Sequence, residues 1–79
     1  MRLDKFLKIS RVIKRRTVAN EACKGGRVLV NGKVAKSSTD VKIGDVIEIN
    51  FGNREIKFEI LDIDEYAKKD EAKDLIKYL

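Results

Sequence analysis

The chain contains no histidine, no proline and no tryptophan, and a single cysteine, Cys23. Each absence removes a class of chemistry. There is no histidine and one cysteine cannot make a zinc site, and without histidine no nucleophile–base pair is evident. One cysteine excludes an internal disulfide and fits a reducing compartment. Aromatic residues make up only 6% of the chain, and its strands lack a platform on which single-stranded bases could stack. No apolar run approaches the roughly 20 residues of a membrane-spanning helix. The opening MRLDKFLK alternates charge with apolar side chains and lacks the hydrophobic stretch of a secretory signal. No glycine-rich phosphate loop is present, because Gly25-Gly26 follows the predicted helix, whereas such a loop precedes one. The expectation is a soluble, cytoplasmic protein that is not an enzyme and carries no cofactor or metal.

Acidic residues are scarce in one half only. Residues 1–36 hold Asp4 and Glu21 against eleven Lys and Arg, a net charge of +9. Residues 37–79 hold eleven acids against seven bases, a net charge of −4. Solvation alone does not require such segregation, and one strongly basic end is the footprint of a polyanion partner. At 79 residues the chain is one small domain. A domain of this size hides only about 60% of its unfolded surface, so a charged binding surface is easier to build than a deep cleft.

Hydrophobic spacing supplies the elements. Leu3, Phe6 and Leu7 recur at helical intervals and predict a short helix over residues 3–10, with Lys5 and Lys8 on its other side. Thr17 is the predicted cap of a second helix. Val18, Ala19, Ala22 and Cys23 form its core face, and Arg16, Asn20 and Lys24 its polar face. Gly25-Gly26 ends that helix. RVLVNGKVA reads as a hairpin about Asn31-Gly32, the residue pair a tight primed turn demands. VIEINF and EIKFEI alternate and form a second hairpin, with Ile47, Ile49, Phe51, Ile56, Phe58 and Ile60 inward. Ala72, Leu75, Ile76 and Leu79 predict a C-terminal helix. The fold class is α+β: two short N-terminal helices packed on a small antiparallel sheet of two hairpins, plus that helix. Residues 1–63 form the binding domain and 64–79 a helical extension.

SRVIKRR joins the two helices and places Arg11, Lys14, Arg15 and Arg16 at their junction. Guanidinium forks bind phosphate oxygens in pairs, and Thr17 and Asn20 supply hydrogen bonds beside them. Lys24, Arg27 and Lys33 continue the surface. Structured RNA read by shape fits better than duplex DNA, because the charged helix is short. An acidic protein or a membrane surface is the remaining alternative. Asp4 either pairs within the first helix or orients Arg2 or Arg16. Cys23 and the phenylalanines read as core.

These residues resemble a known family. Arg2-Leu3-Asp4, then Arg16 and Ala19, then Gly26, Val28, Val30-Asn31-Gly32 and Gly44-Asp45 follow the order of the RNA-binding domain of the ribosomal protein S-four type, also called the αL motif. The resemblance covers residues 2–47. Many members carry Ser-Arg where this chain has Arg15-Arg16, which raises its charge. The resemblance implies RNA contacts by Arg2, Lys5, Arg11, Lys14, Arg15, Arg16, Thr17, Asn20, Lys24 and Arg27. The chain's shortness is similar to that of the small free-standing members, the RqcP and heat shock protein fifteen-like group. That likeness implies large-subunit rRNA, tRNA, the large ribosomal subunit and other quality-control factors as partners. No membrane partner and a monomer when free are expected as well. The implied role is support of C-terminal tailing in ribosome-associated quality control. General rRNA binding, ribosome assembly or recycling, and a basic protein-interaction module are the alternatives.

Overall fold

The structure is a computed structural model that describes residues 1–79. The first helix, α1, spans Leu3–Ile9, and its apolar stripe of Leu3, Phe6 and Leu7 is fully buried. No side chain caps it. Its first free amides instead donate to the 37–40 loop, Leu3 N to Thr39 O at 2.8 Å and Asp4 N to Ser37 O at 3.1 Å. Backbone carbonyls there satisfy donors that the helix itself cannot. After Ser10 the chain reverses through Arg11, whose φ is +59°, a conformation uncommon for a long side chain. Ile13 is buried and pins the linker to the core.

The second helix, α2, spans Arg16–Lys24. Thr17 lies inside it and not at its cap. The cap is Arg15, in extended conformation and without a side-chain hydrogen bond. Gly26, at φ +71°, stops the helix. Its amide donates to Cys23 O and the Arg27 amide to Ala22 O, each at 3.1 Å. That pair of bonds is a Schellman closure, which needs a left-handed residue at Gly26. Ala19 and Cys23 face the core as expected. Val18 does not, being 46% exposed.

Five strands follow: β1 (Val28–Val30), β2 (Lys33–Val34), β3 (Val46–Asn50), β4 (Glu55–Ile60) and β5 (Ile76–Tyr78). They form one antiparallel sheet in the order β2-β1-β3-β4-β5. Asn31 and Gly32 both take positive φ, as the turn between β1 and β2 requires. The Asn31 side chain also ties the two hairpins together. It donates to Asp45 Oδ1 at 3.0 Å and accepts from the Val46 amide at 2.9 Å. The separated Val30-Asn31-Gly32 and Gly44-Asp45 segments are therefore one structural unit.

Inward side chains of the sheet, Val28, Ile47, Ile49, Phe58 and Ile60, join those of the helices in one cluster of 15 buried residues. Phe51 and Ile56 reach that cluster but are only partly buried. Fully burying side chains of this kind contributes about 1.5–3 kcal/mol each.

The expected C-terminal helix is absent. Residues Ala72–Leu75 make one 3-10 turn, and Ile76–Tyr78 form β5 on the edge of β4. Three of the four apolar positions are buried, but Leu79 is 61% exposed. A helix needs all four to sustain its stripe, and so short a helix is marginal by itself. The open edge of β4 offers ladder bonds instead, and Phe58 meets Tyr78 edge to face at a centroid distance of 6.1 Å.

Candidate nucleic-acid interface

Asp4 organises the basic end. It sits in the first turn of α1 and is 1% exposed. Its Oδ1 accepts from Arg2 Nε at 3.2 Å and from the Lys5 amide at 2.8 Å. Its Oδ2 accepts from Arg2 Nη2 at 3.3 Å and from Arg16 Nε at 3.4 Å. Burial alone would raise the Asp4 pKa. The bonds from Arg2, Arg16 and the Lys5 amide, with the Arg16 charge, outweigh burial and hold it below its ordinary value. The carboxylate is therefore ionised at neutral pH and fully used. Of the two readings open for Asp4, pairing within α1 or orienting the arginines, the geometry supports the second.

Both arginines keep half their side-chain surface in solvent, 51% for Arg2 and 46% for Arg16. Arg16 spends one of its five N–H donors on Asp4, leaving both terminal nitrogens free. Arg2 spends two. The clamp ties each guanidinium to Asp4 while leaving most of its donors without a partner in the chain.

Two grooves meet at Arg16. One runs along α2 and is lined by Arg2, Asp4, Arg16, Thr17, Asn20, Glu21 and Lys24. The other lies between α1 and the interhelical turn, lined by Lys5, Lys8, Ile9, Arg11, Lys14 and Arg16, with Glu65 and Ala67 at its margin. Eight of the ten predicted contacts line one groove or the other. Arg15 is exposed but lines neither. Arg27 lies apart, in a hollow with Val18, Ala22, Asn50 and Phe51. Lys8, Arg11, Lys14 and Lys24 make no ion pair within the chain. Their charge is available to a ligand.

Lys8 and Glu65 line the groove beside α1 without being among the predicted contacts. Lys8 follows Lys5 by three residues and precedes Arg11 by three, a spacing that already places it on the same face. Glu65 carries no local signal, since it lies 60 residues from the lysine it meets. Cys23 is buried, and burial, then the Asp4 charge, pushes its thiol pKa up. It is an inert core thiol, not a nucleophile.

The pairing of two short helices at a basic junction with an antiparallel sheet defines a family. The S4 domain family model matches residues 1–47, and the chain belongs to that family. The chain is 54% identical over 72 residues to the RQC P-site tRNA stabilizing factor of Streptococcus pneumoniae, covering 91% of this chain and 82% of that protein. It is 55% identical over 75 residues to the factor of the same name from Halalkalibacterium halodurans, covering 95% and 85%. Among solved structures, heat shock protein 15 of Vibrio cholerae superposes with a TM-score of 0.90 at 35% identity, covering all of this chain and 81% of that one. Within the S4 domain family the chain is thus similar to the RqcP and heat shock protein 15 group. No helix is long and apolar enough to cross a membrane.

Proposed function

We propose that the chain is a cytoplasmic RNA-binding factor of ribosome-associated quality control. It holds tRNA against rRNA on a stalled large ribosomal subunit, and so supports C-terminal tailing of the nascent chain by other factors. Its part is binding, not chemistry. The observation that carries this reading is the Asp4 clamp, which aims Arg2 and Arg16 outward where two basic grooves meet. A pre-oriented guanidinium loses little freedom on meeting a phosphate. The names of its relatives, stabilizing factors for P-site tRNA, support the same ligand class.

In the proposed interface Arg2, Arg16, Thr17, Asn20 and Lys24 grip one RNA segment, and Lys5, Arg11 and Lys14 a neighbouring one. Arg15 and Arg27 flank them. Contact with about five phosphates gives a log–log salt slope of roughly −3.5 to −4.5. Arg16→Ala removes the residue common to both grooves. It is expected to weaken tRNA binding by about tenfold to a hundredfold, since hydrogen bonds to charged groups contribute about 1.5–3 kcal/mol. Fluorescence anisotropy with purified tRNA checks this. Equal affinity for the wild type and Arg16→Ala contradicts the reading.

A further inference from the structure

The basic groove along α1 is not empty of protein. Glu65 stands at its margin, and its Oε2 lies 2.6 Å from Lys5 Nζ. Glu65 belongs to the irregular segment between β4 and the 3-10 turn, yet its position is fixed from both sides. Ile63 and Ala67 pack against the core. Between them, Asp64 Oδ1 accepts the Tyr66 amide at 3.0 Å, and Asp64 O accepts the Ala67 amide at 3.2 Å. That turn holds Glu65 at its tip. The hydrogen bond and charge of Lys5 keep the Glu65 carboxyl below its ordinary pKa. It is a full anion at neutral pH. Both side chains remain about two-fifths exposed, so an arriving polyanion can reach the pair.

We infer that Glu65 acts as a built-in competitor for an RNA phosphate: its carboxylate holds the phosphate position on Lys5 until RNA displaces it. This rests on the proposed RNA-binding reading. A carboxylate on an ammonium mimics a phosphate oxygen in charge and distance. An RNA that uses Lys5 must break the pair and leave Glu65 facing the phosphate backbone. The effect lowers affinity for any polyanion whose few contacts do not outweigh that loss. The clamped arginines, which have no such competitor on their outward nitrogens, remain open. The groove is therefore graded. The Arg2–Arg16 centre captures first, and Lys5 adds its contact only when an RNA fits well enough to push Glu65 aside.

The test is a double-mutant cycle read by anisotropy with purified tRNA across a salt series. E65Q removes the competing charge and keeps the side chain's size. Exposed ion pairs are weak, so a gain of about twofold to fivefold in affinity at low salt is expected. The log–log salt slope steepens by up to about 0.7–0.9, the contribution of one more phosphate contact. D70N makes the same change of charge in the same segment at an exposed residue without an ion pair, and its gain is smaller. In a Lys5→Met background the gain from E65Q falls to that of D70N. If E65Q and D70N give equal gains, or if the E65Q gain survives without Lys5, Glu65 acts only through net charge and the inference is overturned. That failure is separate from failure of the binding reading, in which the wild type itself shows no salt-dependent affinity for tRNA, and the inference falls with it.

Discussion

The two halves of the molecule handle charge in opposite ways. On the outer face of the sheet, acids and bases sit opposite one another across the strands. Glu48 faces Lys57, with Nζ and Oε1 3.9 Å apart, and Glu59 faces Lys77. Cross-strand pairs of this kind modestly stabilise the sheet and ask for nothing outside it. In residues 1–36 eleven bases share two acids, and one of those acids is spent on clamping two arginines. That half is held together by apolar packing, while most of its surface charge, Lys5 with Glu65 apart, stays uncompensated. Charge that the fold neutralises is structural. Charge that the fold concentrates and leaves unpaired is there for a ligand.

Removing the apolar support tests the first part of that contrast. Phe6 is fully buried beneath the basic face. Phe6→Ala should cost about 3–5 kcal/mol, a large share of the stability of a domain this small. Urea denaturation followed by circular dichroism measures it. A loss below about 1 kcal/mol would mean that packing does not hold the basic half together.

Asp4→Asn probes the clamp itself. Hydrogen bonds to charged partners contribute about 1.5–3 kcal/mol, reduced here because both arginines are half exposed, so a loss of about 1–2 kcal/mol at pH 7 is expected. Because folding lowers the Asp4 pKa from its ordinary 3.8, this contribution is fully present above pH 3.8. It disappears as the pH falls through the lower folded value. Wild type and variant should therefore converge in acid. A stability gap that persists unchanged at low pH would show that the clamp is not the source of the difference.

Glu48→Gln is the smallest of these changes. Its pair is exposed and long, and the stability change should stay within about 0.5 kcal/mol. A larger loss would show that the sheet's charges carry more of the fold than the basic half's do.

Much of this contrast was legible in the sequence, because it rests on local signals. The stripes of α1 and α2, the Gly26 stop and the Asn31-Gly32 turn each follow from residues a few positions apart, and charge segregation can be counted directly. Long-range pairing could not be read that way. Nothing near Ile76 signals that the edge of β4 is open, and the spacing of Ala72, Leu75 and Ile76 suits a 3-10 turn followed by a strand as well as it suits a helix. The cap of α1 lies in a loop more than thirty residues away, in the carbonyls of Ser37 and Thr39. Val18 satisfies the helical period yet stays exposed, because α2 meets the core through Ala19 and Cys23, with Ala22 partly buried beside them. In the candidate site, the basic residues were visible one by one. The role of Asp4 lies in the convergence of Arg2 and Arg16 on it, and the Arg16 contact spans twelve residues, beyond any local spacing.

The proposed docking face for RNA is the one where the Asp4 clamp presents Arg2 and Arg16. Amide chemical-shift mapping of the isotope-labelled protein, titrated with purified tRNA, tests it most directly. Shifts should concentrate at residues 2–24, centred on Arg16, with β4 and β5 nearly silent. Shifts concentrated instead on the outer face of the sheet, at Glu48, Lys57 and Lys77, with Arg16 unmoved, would contradict it.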